Sequence, residues 1–298
     1  MQYSFISAKN CPLYMNLSQD DGAVNTGSHF FVATSVSLGV DSSLEANKIA
    51  GQPRVSNDFS HNSPHVGKLS VDILPLIGPN SSANTANQMA LITGASGDFL
   101  SGNRILFGNF DLRKCYLSSL NLKISPQEVI SVNADFDVYD LSGITGQSYT
   151  GANISNLLTN NGSGAYLEGI HALAMGISGS GASLPESRAE IDVSIRCNRE
   201  PSYSLGSSEP STVILTNVEK QVSIQGENIG AVCGFSGELA VLDLYFAPFS
   251  SFVEGGTGFN GANSSLFSIK TRGRVSSQNL SAGENGLAGS VVIQENIY

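Results

Sequence analysis

Two stretches of the chain resemble each other at a nearly constant spacing. Val36-Ser37-Leu38 aligns with Val193-Ser194-Ile195 (193 − 36 = 157), and residues 119–136 align without a gap with residues 276–293 at the same spacing. Between these anchors both halves pass a glycine, a Pro/Ser/Asn-rich stretch and an alternating segment led by lysine, in that order. Such repetition predicts two copies of one unit, whose function comes from how the copies pack. Chance similarity between two β-rich halves is the alternative.

The local pattern of the chain is a two-residue alternation. From Val132 to Val138 the apolar residues alternate with polar ones that include Asp135 and Asp137. This period predicts a strand with one buried face. Similar runs, separated by clusters of Gly, Pro, Asn and Ser, cover residues 30–38, 68–74, 116–124, 189–196, 213–218, 221–225 and 289–296.

The fold class follows from these runs. The chain is predicted to be all-β with minor helix, as two tandem β-domains at residues 1–145 and 146–298, each of ordinary domain size. Helical turns are predicted at residues 85–92 and 153–158, and residues 237–246 are compatible with helix or strand. A Gly/Ser/Asn-rich linker is predicted at residues 142–164.

Composition limits the possible partners. Charged residues make up 13% of the 298 and tryptophan is absent, which favours a chain that buries much of its surface against other subunits. The net charge of −10, without a basic stripe, argues against direct nucleic-acid binding. The four cysteines form no CxxC pair, which favours buried thiols in a protein made in a reducing cytoplasm. No secretory signal or membrane-spanning run is visible in the sequence.

The most specific motif lies in the second half. An alternating strand at residues 190–197 leads into Asn-Arg-Glu-Pro, an aromatic residue and then Leu-Gly-Ser. This segment resembles tail tube-type structural proteins of tailed bacteriophages. The motif residues are Asn198, Arg199, Glu200, Pro201, Leu205, Gly206 and Ser207. The first half carries only a faded counterpart around residues 47–53, without Arg-Glu-Pro, and residues 115–138 look like the end of a tube-domain sandwich.

The resemblance implies a function in the virion. Tandem β-sandwich domains, each with a flanking helix and a long hairpin, would join neighbouring sheets into a ring-shaped β-barrel, and the hairpin would reach the next ring. Stacked rings would form the channel through which genomic DNA passes without specific binding. The subunit would be assembled in the host cytoplasm and would contact itself and other tail proteins, but no membrane. Asp135 and Asp137 are candidate lumen-facing residues, because their charge repels phosphate.

The copy number of the ring is a further expectation. If single-domain tube proteins form rings of six, a tandem chain fills the same circumference with three chains and pseudo-sixfold symmetry. Six chains, with the two copies in different positions, is the alternative. Residues 48–64 and 202–212 are expected to project as excursions that contact the neighbouring ring.

No catalytic, metal or cofactor site emerges from the sequence. His61 and His65 are four positions apart, but in a loop, where that spacing does not bring two imidazoles together. Paired carboxylates can hydrolyse glycosides, but no tryptophan is available for a sugar groove. The protein is therefore predicted not to be an enzyme. A tail-tip ring protein and a β-sandwich adhesin for a host surface are the competing functions.

Overall fold

A computed structural model describes residues 13–16, 30–41, 44–46, 59–61, 66–74, 76–77, 102–107, 110–125, 128, 130–140, 168–178, 189–205, 207, 209–227, 239–248, 267–283 and 286–297. These residues are all-β, as predicted, with antiparallel strands, and they contain no helix. Among them there is accordingly no helix long and apolar enough to cross a membrane.

Fifteen strands are described. They are β1 (Leu13–Asn16), β2 (Phe30–Asp41), β3 (Leu44–Ala46), β4 (Phe59–His61), β5 (Val66–Leu74), β6 (Leu76–Ile77), β7 (Asn103–Phe107), β8 (Phe110–Ile124), β9 (Ser131–Asp140), β10 (Glu168–Ser178), β11 (Ala189–Tyr203), β12 (Pro210–Glu227), β13 (Leu239–Pro248), β14 (Phe267–Gly283) and β15 (Gly286–Ile297). Thirteen of them form one antiparallel sheet, and β3 and β4 pair separately as a small hairpin.

The strand pairings of the first half form a circuit. They run β1-β2-β5-β9-β8-β7 and return to β1. In the second half, β11-β12-β15-β14-β13-β10 are joined in the order of β2-β5-β9-β8-β7-β1. Five of the six pairings therefore recur between strands that correspond in chain order. The sixth, between β10 and β11, is missing from the described residues, so the sheet stays open there.

The registers of the ladders correct the constant spacing read from the sequence. Phe136 and Ile293 occupy equivalent positions (293 − 136 = 157), but their partners on β8 and β14, Leu117 and Val275, are offset by one more (275 − 117 = 158). Seven consecutive pairs of β8–β9, from Tyr116↔Asp137 to Lys123↔Ser131, repeat in β14–β15 with these two offsets. The gap-free alignment of residues 119–136 is thus wrong by one position on β8.

The first anchor of the sequence alignment is also wrong. Leu69 and Val222 are equivalent, because they pair with Phe136 and Ile293 respectively. Leu38 pairs with Leu69, and Val193 pairs with Val222. Val193 therefore corresponds to Leu38 and not to Val36. The shift preserves the face of the strand on which each side chain lies, because it moves the alignment by one full period of the alternation.

A β-bulge supports the corrected offset on β8. Ser118 is bulged out of the β8–β9 ladder, and Ser276, its equivalent on β14 (276 − 118 = 158), is bulged out of the β14–β15 ladder. The Ser118 hydroxyl donates to the carbonyl oxygen of Asp135 at 3.1 Å, and the Ser276 hydroxyl donates to that of Val292 at 3.2 Å. Because bulges raise local twist, the two ladders bend at equivalent points.

The two halves share the sheet through one joint. Strand β8 pairs with β7 and then β11 along one edge, while β9 occupies its other edge. Six residue pairs, from Ile191↔Ile124 to Arg196↔Ser119, hold β11 against β8. A shorter contact joins β6 to the start of β10. The buried apolar residues of both halves belong to one core cluster.

Alternation predicts most of the long strands. Residues 213–218 and 221–225 are predicted as two strands but form the single strand β12, and the ambiguous residues 237–246 fall largely in strand β13. The predicted helices at 85–92 and 153–158 and most of the 142–164 linker lie outside the described residues.

Candidate functional site

One face of the sheet is polar across seven adjacent strands. From β2 through β5, β9, β8, β11 and β12 to β15, the residues that alternate with the core lie opposite one another in register. We call these residues the polar face: Ser35, Ser37, Gly39, Lys68, Ser70, Asp72, Ser119, Asn121, Lys123, Ser131, Asn133, Asp135, Asp137, Glu190, Asp192, Ser194, Arg196, Glu219, Gln221, Ser223, Gln225, Ser290, Val292 and Gln294. It crosses the joint between the halves without interruption.

The polar face carries more negative than positive charge. It holds six carboxylates against three cations, a difference of three. Each cation lies beside a carboxylate: Lys68 pairs with Asp137, Lys123 lies opposite Asp192, and Arg196 lies opposite Glu219. Since DNA binding requires cations available to phosphate, this arrangement disfavours phosphate binding.

Asp135 and Asp137 both lie on the polar face and not in the core. The Asp135 carboxylate accepts a hydrogen bond from the Ser119 hydroxyl at 2.6 Å. Asp137 forms an ion pair with Lys68, and its side chain is only 17% exposed. Asp135 therefore contributes net negative charge to the surface, whereas the charge of Asp137 is largely neutralised.

The two positions of the second half that are equivalent to Asp135 and Asp137 carry no charge. Positions 292 and 294, which correspond to Asp135 and Asp137, are Val292 and Gln294. Lys220 and Glu295 form an ion pair on the opposite face, where Lys220 is buried and also donates to the carbonyl of Lys270. Burial lowers the pKa of Lys220, and the Glu295 carboxylate opposes this shift.

The motif residues lie on a hairpin that continues beyond the β8–β11 joint. Strand β11 leaves β8 after Arg196, and β12 meets β15 only from Val218 onward. Residues 198–217, which we call the distal arm, therefore pair only with each other among the described strands. At about 3.3 Å per residue, the stretch from Asn198 to Tyr203 reaches about 20 Å beyond the joint. Gly206 lies outside the described residues.

Arg199 fixes the base of the distal arm to β8. Its guanidinium carbon lies 5.2 Å from the centroid of the Tyr116 ring, and its Nε donates to the Leu117 carbonyl at 3.4 Å. Tyr116 in turn packs edge-on against Tyr139, with ring centroids 5.9 Å apart. Glu200, in contrast, is exposed. Arg199 therefore connects the base of the hairpin to β8 through its contacts with Tyr116 and Leu117.

Burial changes the ionisation of the groups around Arg199. It raises the pKa of the Cys197 thiol to about 11, and the neighbouring Arg199 opposes this rise. Burial also raises the pKa of Tyr139 to about 12, with a further contribution from the charge of Asp137. Both groups are therefore neutral at physiological pH, so Cys197 is a poor nucleophile.

The tip of the arm combines an ordered turn with an exposed leucine. The Ser207 hydroxyl accepts a hydrogen bond from the Glu209 amide, and the Ser207 amide donates to the Ser204 carbonyl. The Glu209 carboxylate lies 2.7 Å from the Lys114 ammonium of β8. Leu205 is 106% exposed, so the turn presents an apolar side chain entirely to its surroundings. Within the predicted excursion at 202–212, Ser202 and Tyr203 pair with Thr212 and Pro210 as strand, and the described residues between them belong to the turn.

The first half also has a hairpin at the equivalent place, between β2 and β5. Its strands β3 and β4 pair from Leu44↔His61 to Ala46↔Phe59. Strand β4 lies within the predicted excursion at 48–64, and the rest of that excursion lies outside the described residues. His61 is part of this hairpin, while His65 is not described. In the described part of the chain, no group of three or more His, Cys, Asp or Glu side chains is arranged to hold a metal.

The contacts around Arg199 could not be anticipated from local pattern. Tyr116, Leu117 and Tyr139 are all far from Arg199 in the sequence, and the β8–β11 pairing brings them together.

The chain matches no protein-family model, and it matches no curated protein.

Proposed function

We propose that the protein is a structural subunit of a bacteriophage tail tube, in which stacked rings form a DNA-conducting channel. The observation that carries this proposal is the β8–β11 joint, where two halves with the same order of pairings share one sheet and one polar face. A unit that extends its sheet into an equivalent unit can be repeated around a ring. Each half is one tube-like domain in this proposal.

The channel wall is the polar face in this proposal. Its hydroxyl and amide groups are wettable, and each of its cations lies beside a carboxylate. A wall with a small negative excess repels phosphate along the whole path, so DNA slides without adhering. Asp135 contributes negative charge to the lumen, and Asp137 forms an ion pair with Lys68 beside it.

The distal arm connects stacked rings in this proposal. It continues beyond the β8–β11 joint, it is anchored at its base by Arg199 and near its tip by Glu209, and its tip exposes Leu205. An anchored arm loses little conformational entropy on docking, which favours a regular stack. The β3–β4 hairpin is the corresponding contact of the first half.

Three chains per ring follow from the two halves. The β8–β11 joint already supplies one of every two contacts that a ring of six units needs, so three chains close the pseudo-sixfold circle. In the six-chain alternative the halves would lie at different radii.

Two other functions predict different particles. A tail-tip ring protein would form single rings present in few copies per virion, and a host-surface adhesin would remain as separate particles. The exposed Leu205 on an ordered arm favours stacking over a single terminal ring.

Negative-stain electron microscopy of the purified chain tests the proposal. Tubes built of stacked rings, with three chains per ring by mass, are expected. Separate particles at all concentrations would overturn the proposal and favour the adhesin, and single rings that never stack would favour the tail-tip protein.

A further inference from the structure

Each of the two strands in the β8–β11 joint has an equivalent strand elsewhere in the chain whose corresponding edge has no described partner. Leu122 lies opposite Val193 in the joint. Leu280 pairs with Gly289 and Leu122 pairs with Val132. Because Gly289 and Val132 are equivalent (289 − 132 = 157), Leu280 is equivalent to Leu122. Leu38 is likewise equivalent to Val193, as the β2–β5 and β11–β12 ladders require. Residues 36–41 of β2 and 277–282 of β14 thus correspond to the two sides of the joint.

These two edges have no partner among the described strands. Strand β1 pairs with β2 only at Phe30 and Phe31, which leaves that edge of β2 open from there to Asp41. Strand β13 pairs with β14 only up to Arg274, which leaves the same edge of β14 open beyond it. Open edges of this length invite pairing with another chain.

Exposure of the apolar side chains identifies the same two edges. Val40 is 47% exposed, whereas Ile195, its counterpart in the joint, is 1% exposed. Leu280 is 47% exposed, whereas its counterpart Leu122 is 1% exposed. Four large hydrophobic residues are exposed in the described part of the chain. Two of them, Val40 and Leu280, lie where a pairing equivalent to the joint would cover them.

We propose that β2 of one chain pairs antiparallel with β14 of a second copy of the chain, in the register of the β8–β11 joint. This inference rests on the proposed ring and specifies the surface that closes it. The pairing covers Val40 and Leu280 and continues the polar face from one chain to the next. The register is Val36↔Ala282, Ser37↔Ser281, Leu38↔Leu280, Gly39↔Asn279, Val40↔Gln278 and Asp41↔Ser277.

Cysteine cross-linking tests the register. Ser37 and Ser281 are both exposed, so a chain carrying Ser37→Cys and Ser281→Cys keeps its core. Directly opposed residues lie about 4.5–5.5 Å apart between Cα atoms, within disulfide range. The matched control carries Ser37→Cys and Ser277→Cys, also exposed, and is displaced by four positions, about 13 Å along the strand.

The expected result is a disulfide between residues 37 and 281 of different chains, at least tenfold more abundant than the control product. Peptide mass spectrometry identifies the linked residues apart from native cysteines, and non-reducing gels are expected to show linked species up to three chains. Rings without this disulfide, or a disulfide within one chain, would overturn the proposed pairing but would not contradict the proposed tube function. The interchain disulfide without rings would support the pairing and overturn the tube function. The absence of both the disulfide and the rings would overturn both proposals.

Discussion

The guanidinium of Arg199 lies over the ring of Tyr116, 5.2 Å from its centroid, and so fixes the distal arm of the second half to strand β8 of the first. The relationship has no copy on β14, because the position equivalent to Tyr116 is Arg274 (274 − 116 = 158). The second half therefore has a cation where the first half has an aromatic ring, although the ladders on either side match.

The first prediction concerns this anchor. Arg199→Met removes the cation over Tyr116 and the hydrogen bond to the Leu117 carbonyl, so the free energy of unfolding is expected to fall by about 1–2 kcal/mol. Urea denaturation measures the change. The control Arg196→Met alters an exposed arginine of the same strand and is expected to cost less than about 0.5 kcal/mol. Equal losses in both variants would contradict the anchoring role.

The second prediction concerns the tip of the distal arm. Leu205→Ser is expected to leave the unfolding free energy within about 0.5 kcal/mol of wild type, because the side chain is fully exposed. Tube length in electron micrographs is expected to fall sharply while rings persist, since the apolar contact between rings is lost. Ile214→Ser, which alters an exposed residue farther from the tip, is the control. Tubes of normal length in Leu205→Ser would refute the docking role.

The third prediction concerns the polar face. Asn121→Lys with Gln221→Lys adds two exposed cations to this face, and assembled tubes are expected to bind DNA with an affinity that falls as salt rises. Ser211→Lys with Thr212→Lys adds the same charge to exposed positions of the distal arm, outside the polar face. DNA retention on tubes by both variants alike would show that the polar face does not line the channel.

The fourth prediction concerns alkaline stability. The pKa of Cys197 is raised from 9.0 to about 11, so above pH 9 the unfolded chain loses this proton while the folded chain keeps it. Stability is fully present below pH 9 and falls as pH rises toward 11, by up to about 1.4 kcal/mol per pH unit. Cys197→Ala is expected to flatten the decline in that window, measured by denaturation at pH 8 to 11. An unchanged slope would contradict the buried neutral thiol.

Tyr139 extends the same trend to higher pH. Its pKa is raised from 10.0 to about 12, so its contribution is lost between these values as pH rises. Absorbance of the phenolate in the folded protein, compared between wild type and Tyr139→Phe, is expected to show one tyrosine that ionises late. Titration of that tyrosine near pH 10 would refute the burial effect.

Alternation in the sequence predicts the strands that have one buried face. Val132 and Phe136 face the core while Asp135 faces out, so the alternation identifies β9 correctly and assigns its carboxylates to the polar face. Strand β12 is split in the prediction because Glu219 and Lys220 interrupt the apolar run, yet the strand continues since Lys220 is buried beside Glu295. A buried lysine with a partner from a distant strand is invisible to local pattern.

The strands that sequence reasoning missed have other physical causes. In strand β14, four consecutive polar residues from Ser276 to Asn279 interrupt the alternation at the bulge, so local pattern does not predict this part of the strand. The pairings that assemble Arg199 with Tyr116 depend on which strands meet, and no local period encodes that choice.

The free edge of β2 and the free edge of β14 make each chain a link with two different ends. In the proposed ring, a chain carrying Leu280→Lys has a blocked β14 edge but an intact β2 edge. Such a chain can join an incomplete ring through β2, but the ring cannot then close. In mixtures, the yield of closed rings would then fall as the third power of the wild-type fraction for three chains, and as the sixth power for six. A small fraction of defective chains would therefore prevent wild-type chains from forming closed rings. The dependence of ring yield on the wild-type fraction would give the number of chains per ring.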